Sequence, residues 1–205
     1  MEEKHIFFAA GPVKLEGLFY AAKGNNGVVI THPHPIYGGN MESAVVDLLS
    51  RTYQLAGYST LRFNFRGVGN SGGYYDQGEG EQQDVQAALE YLVTHCDGSV
   101  DLVGYSFGAW VNARALATIA PPNRVIMISP PVSHLDFSGI ATIPRLRLVV
   151  VGDRDQFAPL EEIISFMPKW NPRARLEVIE NADHFYVSAL GTLEAIFTAF
   201  LANRG

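Results

Sequence analysis

The segment with the most specific chemistry in this sequence is G-x-S-x-G at residues 104–108, centred on Ser106. It follows a strand-like run and precedes a helical pattern, which predicts a sharp turn that pushes the serine hydroxyl out of a sheet. The flanking glycines let backbone pass close to that turn. The first helical N–H, that of Phe107, would face a developing oxyanion. We interpret Ser106 as a nucleophile and Phe107 as an oxyanion donor; the alternative is a serine in an ordinary glycine loop.

A serine nucleophile needs a base, and the base needs an acid that orients it. Two histidines follow Ser106 in the sequence, His134 and His184. His134 lies in a Pro-rich connection and His184 follows a late predicted strand, so His184 is the predicted base; the alternative is a histidine on a surface loop.

The acid is expected after the preceding strand, where G-D-R-D at residues 152–155 offers Asp153 and Asp155. Spacing alone leaves both open. Asp153 directly follows the glycine that closes the strand, a position where short polar side chains commonly cap a loop. Asp155 lies further out, nearer the expected path of the His184 loop, and is the preferred acid.

A second oxyanion donor is expected in the segment T-H-P-H-P-I-Y-G-G at residues 31–39, which follows an early predicted strand. The two prolines have no N–H, so the donor must be His34, Ile36 or a later residue, and we favour His34. His32 and His34 also allow an interpretation as metal ligands. No cysteine or further histidine cluster supplies the remaining ligands, so we expect no metal site.

The segment G-V-G-N-S-G at residues 67–72 has the glycine pattern of a dinucleotide-binding loop. In such loops a helix opens directly after the glycines, whereas residues 73–78 extend this loop before a helical pattern resumes. We interpret it as a structural loop and expect no cofactor. Four polar residues are predicted to anchor it by charge and hydrogen bonding: Asn64, Arg66, Glu81 and Asp84.

Strands and helices alternate from about residue 27 onward, which predicts a parallel sheet. The predicted strands are residues 27–31, 59–65, 100–105, 124–128, 146–151 and 175–179. The predicted helices are residues 41–56, 81–95, 107–119, 160–167 and 187–203. Residues 5–9 and 14–21 are expected to form an antiparallel hairpin at one sheet edge.

Right-handed crossovers between such strands give an open, twisted sheet with helices on both faces, and ligands bind beyond the carboxyl ends of its strands. The chemical segments described above follow predicted strands and should converge there. A chain of 205 residues is long enough for one domain and too short for two, so we expect a single α/β domain over residues 1–205. Residues 130–145 are too few to form a helical lid domain.

Composition excludes several classes of partner. A net charge of −6 offers no basic field for nucleic acid or anionic lipid. No apolar stretch reaches the roughly 20 residues that a membrane span needs, and the acidic N-terminus lacks a signal-peptide pattern. We therefore expect a cytoplasmic protein acting on a small molecule. The single Cys96 cannot form an internal disulfide and is interpreted as a structural thiol. The sequence is silent on oligomeric state.

Together the motifs resemble those of small bacterial α/β hydrolases related to dienelactone hydrolase and carboxylesterases. The resemblance rests on H-P-H-P-x-x-G-G at residues 32–39, F-R-G-x-G-x-S-x-G at 65–73, G-Y-S-F-G at 104–108, G-D-x-D at 152–155 and D-H-F at 183–185. It implies the α/β-hydrolase fold, a triad of Ser106, Asp155 and His184, no cofactor, and hydrolysis of small acyl esters.

One departure from that pattern narrows the substrate. The nucleophile of dienelactone hydrolase is a cysteine, whereas this sequence has Ser106, which argues against that particular substrate. A triad does not distinguish leaving groups, so amide or thioester hydrolysis is the alternative within enzymes. A binding module that keeps the fold without using the triad is the alternative from another class.

Overall fold

Eight strands form one sheet in the computed structural model, which describes residues 2–203. The strands are β1 (Lys4–Ala10), β2 (Val13–Tyr20), β3 (Gly27–Thr31), β4 (Ser59–Phe63), β5 (Val100–Tyr105), β6 (Val125–Ile128), β7 (Leu146–Gly152) and β8 (Arg175–Ile179). Across the sheet they lie in the order β1-β2-β4-β3-β5-β6-β7-β8. β2 pairs antiparallel with β1 and β4, and all other neighbours are parallel. The predicted parallel sheet with an antiparallel hairpin at one edge is confirmed.

Five α-helices cover the two faces of the sheet within the described residues. They are α1 (Ala44–Leu55), α2 (Gly80–Val93), α3 (Phe107–Ala115), α4 (Leu160–Trp170) and α5 (Leu190–Ala202). α1 and α5 cover one face, where they bury residues such as Leu49 and Phe197. α2, α3 and α4 cover the other face, where Leu92 of α2 is buried. Successive residues of β3 alternate between these cores, Val28 in the first and Val29 in the second. None of these helices is long and apolar enough to span a membrane.

The ends of several elements differ from their predicted bounds, and hydrogen bonds explain two cases. β4 ends two residues early because the Phe65 N–H donates to the His32 ring instead of a neighbouring strand. α5 begins at Leu190 instead of residue 187 because Asp183 accepts the Tyr186 N–H in a turn, where Tyr186 has a φ of 55°. α3 and α4 begin at their predicted residues, and the remaining helix ends differ by one to four residues, as fraying termini commonly do.

Between β6 and β7, residues 130–145 contain turns and bends but no helix. The prediction that no lid domain covers the sheet is confirmed. This connection therefore places no helical lid over the carboxyl ends of the parallel strands.

The glycine loop at residues 67–72 is anchored by the polar residues that the sequence indicated. The buried Asp84 carboxylate accepts hydrogen bonds from the Arg66 guanidinium at 2.7 Å and from the Arg66 backbone N–H at 3.0 Å. Glu81 accepts two backbone N–H groups of the following turn at 2.8 Å, and the Asn64 carbonyl accepts the Ser71 hydroxyl of the loop at 2.7 Å. These contacts tie the loop to α2, which confirms the predicted anchoring.

Glu16 in β2 is a further anchor of this loop that sequence analysis missed. Its buried carboxylate accepts the Asn70 backbone N–H at 2.8 Å and the Asn64 side-chain amide at 2.8 Å, and it contacts His5 at 2.6 Å. Burial alone would raise the pKa of Glu16, but hydrogen bonds from Asn70, His5 and Asn64 lower it from 4.5 to about 2. The ionised carboxylate therefore joins the hairpin to the glycine loop.

We expect Glu16 to make the free energy of unfolding depend on acidic pH. A carboxyl group with a lowered folded-state pKa stabilises the fold above its unfolded pKa and loses that effect as pH falls toward the folded value. Between about pH 5 and pH 2, wild type should lose stability relative to Glu16→Gln, which cannot titrate. Urea unfolding of both proteins at several pH values in this range measures the difference, and parallel curves would contradict it.

Candidate active site

Ser106 lies at the turn between β5 and α3, as its motif predicted. Its φ of 54° and ψ of −118° are strained for a non-glycine residue. The close packing around the turn requires glycine on both sides. A Cβ on Gly104 would lie 2.5 Å from the Ala109 Cα, and one on Gly108 would lie 2.4 Å from the Thr31 hydroxyl oxygen. The turn thus rests directly on the end of β3, where the expected oxyanion loop begins.

The structure brings Ser106, His184 and Asp155 into one chain of hydrogen bonds. The His184 Nε2 lies 2.8 Å from the Ser106 Oγ, and the His184 Nδ1 lies 2.9 Å from both carboxylate oxygens of Asp155. Since a carboxylate can only accept, Nδ1 carries the proton and Nε2 is free to accept the serine proton. The three residues are 4–7% exposed, so little water competes for these bonds.

The two aspartates of the loop after β7 have different positions. Asp155 contacts His184, whereas the Asp153 side chain is exposed and makes no hydrogen bond or ion pair with any described residue. The prediction that Asp153 caps this loop is wrong. Asp155 also performs that task, because its Oδ1 accepts the backbone N–H groups of Phe157 and Ala158 at 2.9 Å.

Asp155 is ionised in spite of its burial. Burial raises the pKa of this carboxyl, but hydrogen bonds from His184, the Ser129 hydroxyl and the Ala158 N–H outweigh burial and hold the pKa below its usual value. A buried carboxylate beside Nδ1 would stabilise the imidazolium that forms when His184 accepts a proton.

Three supporting residues were missed in the sequence. Ser129, whose hydroxyl helps to lower the pKa of Asp155, lies with that hydroxyl 2.7 Å from the Tyr186 hydroxyl. The Tyr105 hydroxyl donates to the His184 carbonyl at 2.8 Å. Ser129 directly follows β6, and the other polar residues of the site were predicted because they follow strands. The same signal could have identified Ser129. The two tyrosines had no comparable sequence signal.

Among the described residues 34–39, His34 is the one whose backbone N–H donates to no other described residue. Ile36 donates to the His34 Nδ1 at 3.3 Å, and the N–H groups of Tyr37, Gly38 and Gly39 donate to carbonyls of the loop. No described residue accepts the His34 N–H or the Phe107 N–H. Both predicted donors therefore have the hydrogen-bonding capacity that an oxyanion would require.

A cavity of about 760 Å³ opens above Ser106. Its walls are mainly apolar and aromatic, and they include no Asp, Glu, Lys or Arg among the described residues. The side chains that give it this character are Tyr37, Phe107, Leu135, Phe157 and Phe185, with His34 and His134. Burial lowers the pKa of His34, which favours its neutral form. The cavity therefore suits an uncharged, apolar ligand.

The metal-ligand interpretation of His32 and His34 does not fit their contacts. Both nitrogens of the His32 ring are hydrogen-bonded to backbone groups, and the His34 Nδ1 accepts a backbone N–H. Residues 2–203 contain no group of three or more His, Cys, Asp or Glu side chains placed to hold a metal ion. Cys96 is partly buried after α2, and burial raises the pKa of its thiol.

The sheet is mostly parallel and has eight strands, and a serine at a strand-to-helix turn is hydrogen-bonded to a histidine that contacts an aspartate. These features define the class of α/β hydrolases. Residues 22–140 match the family model described as X-Pro dipeptidyl-peptidase (S15 family), and the chain belongs to this family. The resemblance to α/β hydrolases in the sequence is confirmed.

Two solved structures and one further sequence are similar to this chain. An α/β serine hydrolase homologue from Coxiella burnetii is 32% identical with a TM-score of 0.90, and the match covers 98% of both chains. A serine hydrolase without a lid from Xanthomonas campestris is 29% identical with a TM-score of 0.88, covering 98% of this chain and 94% of the other. A protein of Rickettsia prowazekii described as uncharacterized is 33% identical over 193 residues, which are 88% of this chain and 81% of the relative.

Proposed function

We propose that the protein hydrolyses small carboxylic esters through an acyl-enzyme, with Ser106, His184 and Asp155 as its catalytic triad. The observation that carries the proposal is the unbroken hydrogen-bond chain between these residues beneath an uncharged cavity. Its proton positions are those that nucleophilic attack by a serine requires, because Nε2 can accept while Nδ1 donates.

In the first half of the reaction, the Ser106 Oγ attacks the ester carbonyl carbon and its proton passes to the His184 Nε2. The Asp155 carboxylate stabilises the imidazolium so formed. Negative charge develops on the carbonyl oxygen, and the free N–H groups of Phe107 and His34 hold it. Collapse of the tetrahedral intermediate breaks the bond to the alcohol, which leaves with the proton from Nε2.

In the second half, water replaces the alcohol. His184 Nε2 takes a proton from the water as its oxygen attacks the acyl carbon, and the same two N–H groups hold the second oxyanion. The proton then returns to the Ser106 Oγ as the carboxylic acid leaves. Neither half of this reaction requires a cofactor.

The cavity favours esters over the peptides that the family description suggests. An X-Pro dipeptide at the amino terminus of a peptide carries a positive charge, and burying an unpaired charge is costly. The described residues that line the cavity offer that charge no carboxylate. Asp155 is already engaged by His184 and by two backbone N–H groups. An uncharged acyl group meets no such cost.

A panel of chromogenic substrates tests this function. We expect p-nitrophenyl acetate and butyrate to be hydrolysed with a higher kcat/KM than the laurate ester, because no lid covers a long chain. All short esters should exceed Ala-Pro p-nitroanilide, whose ammonium group lacks a partner in the cavity.

Ser106→Ala serves as the control that assigns any turnover to the site. A higher kcat/KM for the anilide would contradict ester hydrolysis and support the amide alternative. Absence of turnover, together with no labelling of Ser106 by a fluorophosphonate, would instead support the binding-module alternative.

A further inference from the structure

His32 is a fully buried histidine that directly follows β3 and has no part in the proposed proton transfers. Its Nδ1 lies 2.7 Å from the Pro33 carbonyl oxygen, and its Nε2 accepts the Phe65 N–H at 3.0 Å. A carbonyl can only accept and an amide N–H can only donate, so the ring is neutral with its proton on Nδ1. Burial lowers the pKa of His32 to about 4, so this form persists at neutral pH.

The carbonyl that His32 holds belongs to the same peptide unit as the His34 N–H. A trans peptide unit is planar, and its C=O and N–H point in opposite directions. Fixing the Pro33 carbonyl therefore fixes the direction of the His34 N–H. We propose that His32 is a positioning residue that aims the His34 N–H at the oxyanion; this inference rests on the proposed function.

The surroundings of the Pro33–His34 peptide support such a role. The Gly39 backbone packs so closely that a Cβ there would lie 2.2 Å from the Pro33 carbonyl oxygen, and the Gly39 N–H donates to the His34 carbonyl at 3.1 Å. The Phe65 N–H fixes the other side of the His32 ring just after β4. His32 thus connects the end of a neighbouring strand to the peptide that carries the oxyanion donor.

The hydrogen bond to Pro33 also strengthens the donor electrostatically. A hydrogen bond accepted by the carbonyl of a peptide polarises that unit and increases the donor strength of its N–H. Removing the bond should therefore reduce stabilisation of the transition state more than it reduces substrate affinity. The reason is that the negative charge on the oxyanion exists only during the reaction.

Two matched variants separate the two contacts of His32. The amide nitrogen of His32→Asn lies near the position of Nδ1 and can still donate to the Pro33 carbonyl. The amide of His32→Gln reaches the position of Nε2 and can accept the Phe65 N–H, but it leaves the Pro33 carbonyl without its donor. We expect His32→Gln to lose kcat by about tenfold to a hundredfold with little change in KM, and His32→Asn to lose less.

Thermal midpoints of both variants report the structural cost, and inhibition by an alkyl boronic acid reports binding of a tetrahedral adduct. Boronate affinity should fall in parallel with kcat in His32→Gln. Equal losses of kcat in two folded variants, or a His32→Gln kcat within about twofold of wild type, would overturn the positioning role.

A measurement on wild type keeps the inference testable if the variants do not fold. Long-range ¹H–¹⁵N NMR of the His32 ring should show a proton on Nδ1, and an Nε2–H ring would overturn the proposal. Failure of the proposed function is distinguishable, because wild type itself would then show no Ser106-dependent ester hydrolysis.

Discussion

Replacing Ser106 with alanine is expected to lower kcat for p-nitrophenyl butyrate by on the order of 10⁶, the loss measured when the nucleophile of another serine hydrolase is removed. The substitution deletes the hydroxyl that contacts the His184 Nε2. It keeps the Cβ, so the strained backbone of the turn is the same in both proteins. The thermal midpoint should therefore stay close to that of wild type, and labelling by a fluorophosphonate should disappear.

Ser165→Ala provides a matched control, since Ser165 is an exposed serine on α4 whose hydroxyl donates to the Glu162 carbonyl of the same helix. Its kcat and labelling should equal those of wild type. Turnover by Ser106→Ala within about tenfold of wild type would contradict the acyl-enzyme mechanism as a whole.

Asp155→Asn is expected to reduce kcat by about 10⁴, the loss that follows the same substitution in a serine protease triad. Two backbone N–H groups, those of Phe157 and Ala158, would hold the amide oxygen at the position of Oδ1. The amide nitrogen then faces the His184 Nδ1 and donates to it. The proton of the imidazole moves to Nε2, which can no longer accept the proton of Ser106.

Asp153→Asn is the matched control for this prediction, because Asp153 lies two residues away on the same loop and is exposed. Its kcat and thermal midpoint should match those of wild type. If Asp153→Asn instead loses its activity while Asp155→Asn remains near wild type, the acid has been assigned to the wrong residue.

The sheet and the positions of its chemical segments could be predicted because their signals are local. Buried parallel strands are nearly continuous apolar runs, as in β3 and β5, and their period differs from that of the helices between them. The turn at Ser106 needs glycine at fixed offsets, so the motif itself indicates the turn. The end of β4 was predicted less well, since it depends on the distant His32 ring.

The sequence by itself determined the class of fold, the strand ends at which polar side chains gather, and the prediction of Ser106 and His184 as partners. Only the tertiary structure decided that Asp155, and not Asp153, contacts His184. It also decided which groups support the site, through contacts such as that of Tyr105 with the His184 carbonyl, 79 residues away in sequence. A local sequence pattern indicates the type and the ends of a helix or strand. The direction of a loop side chain instead depends on residues that are distant in sequence and pack against it in the fold.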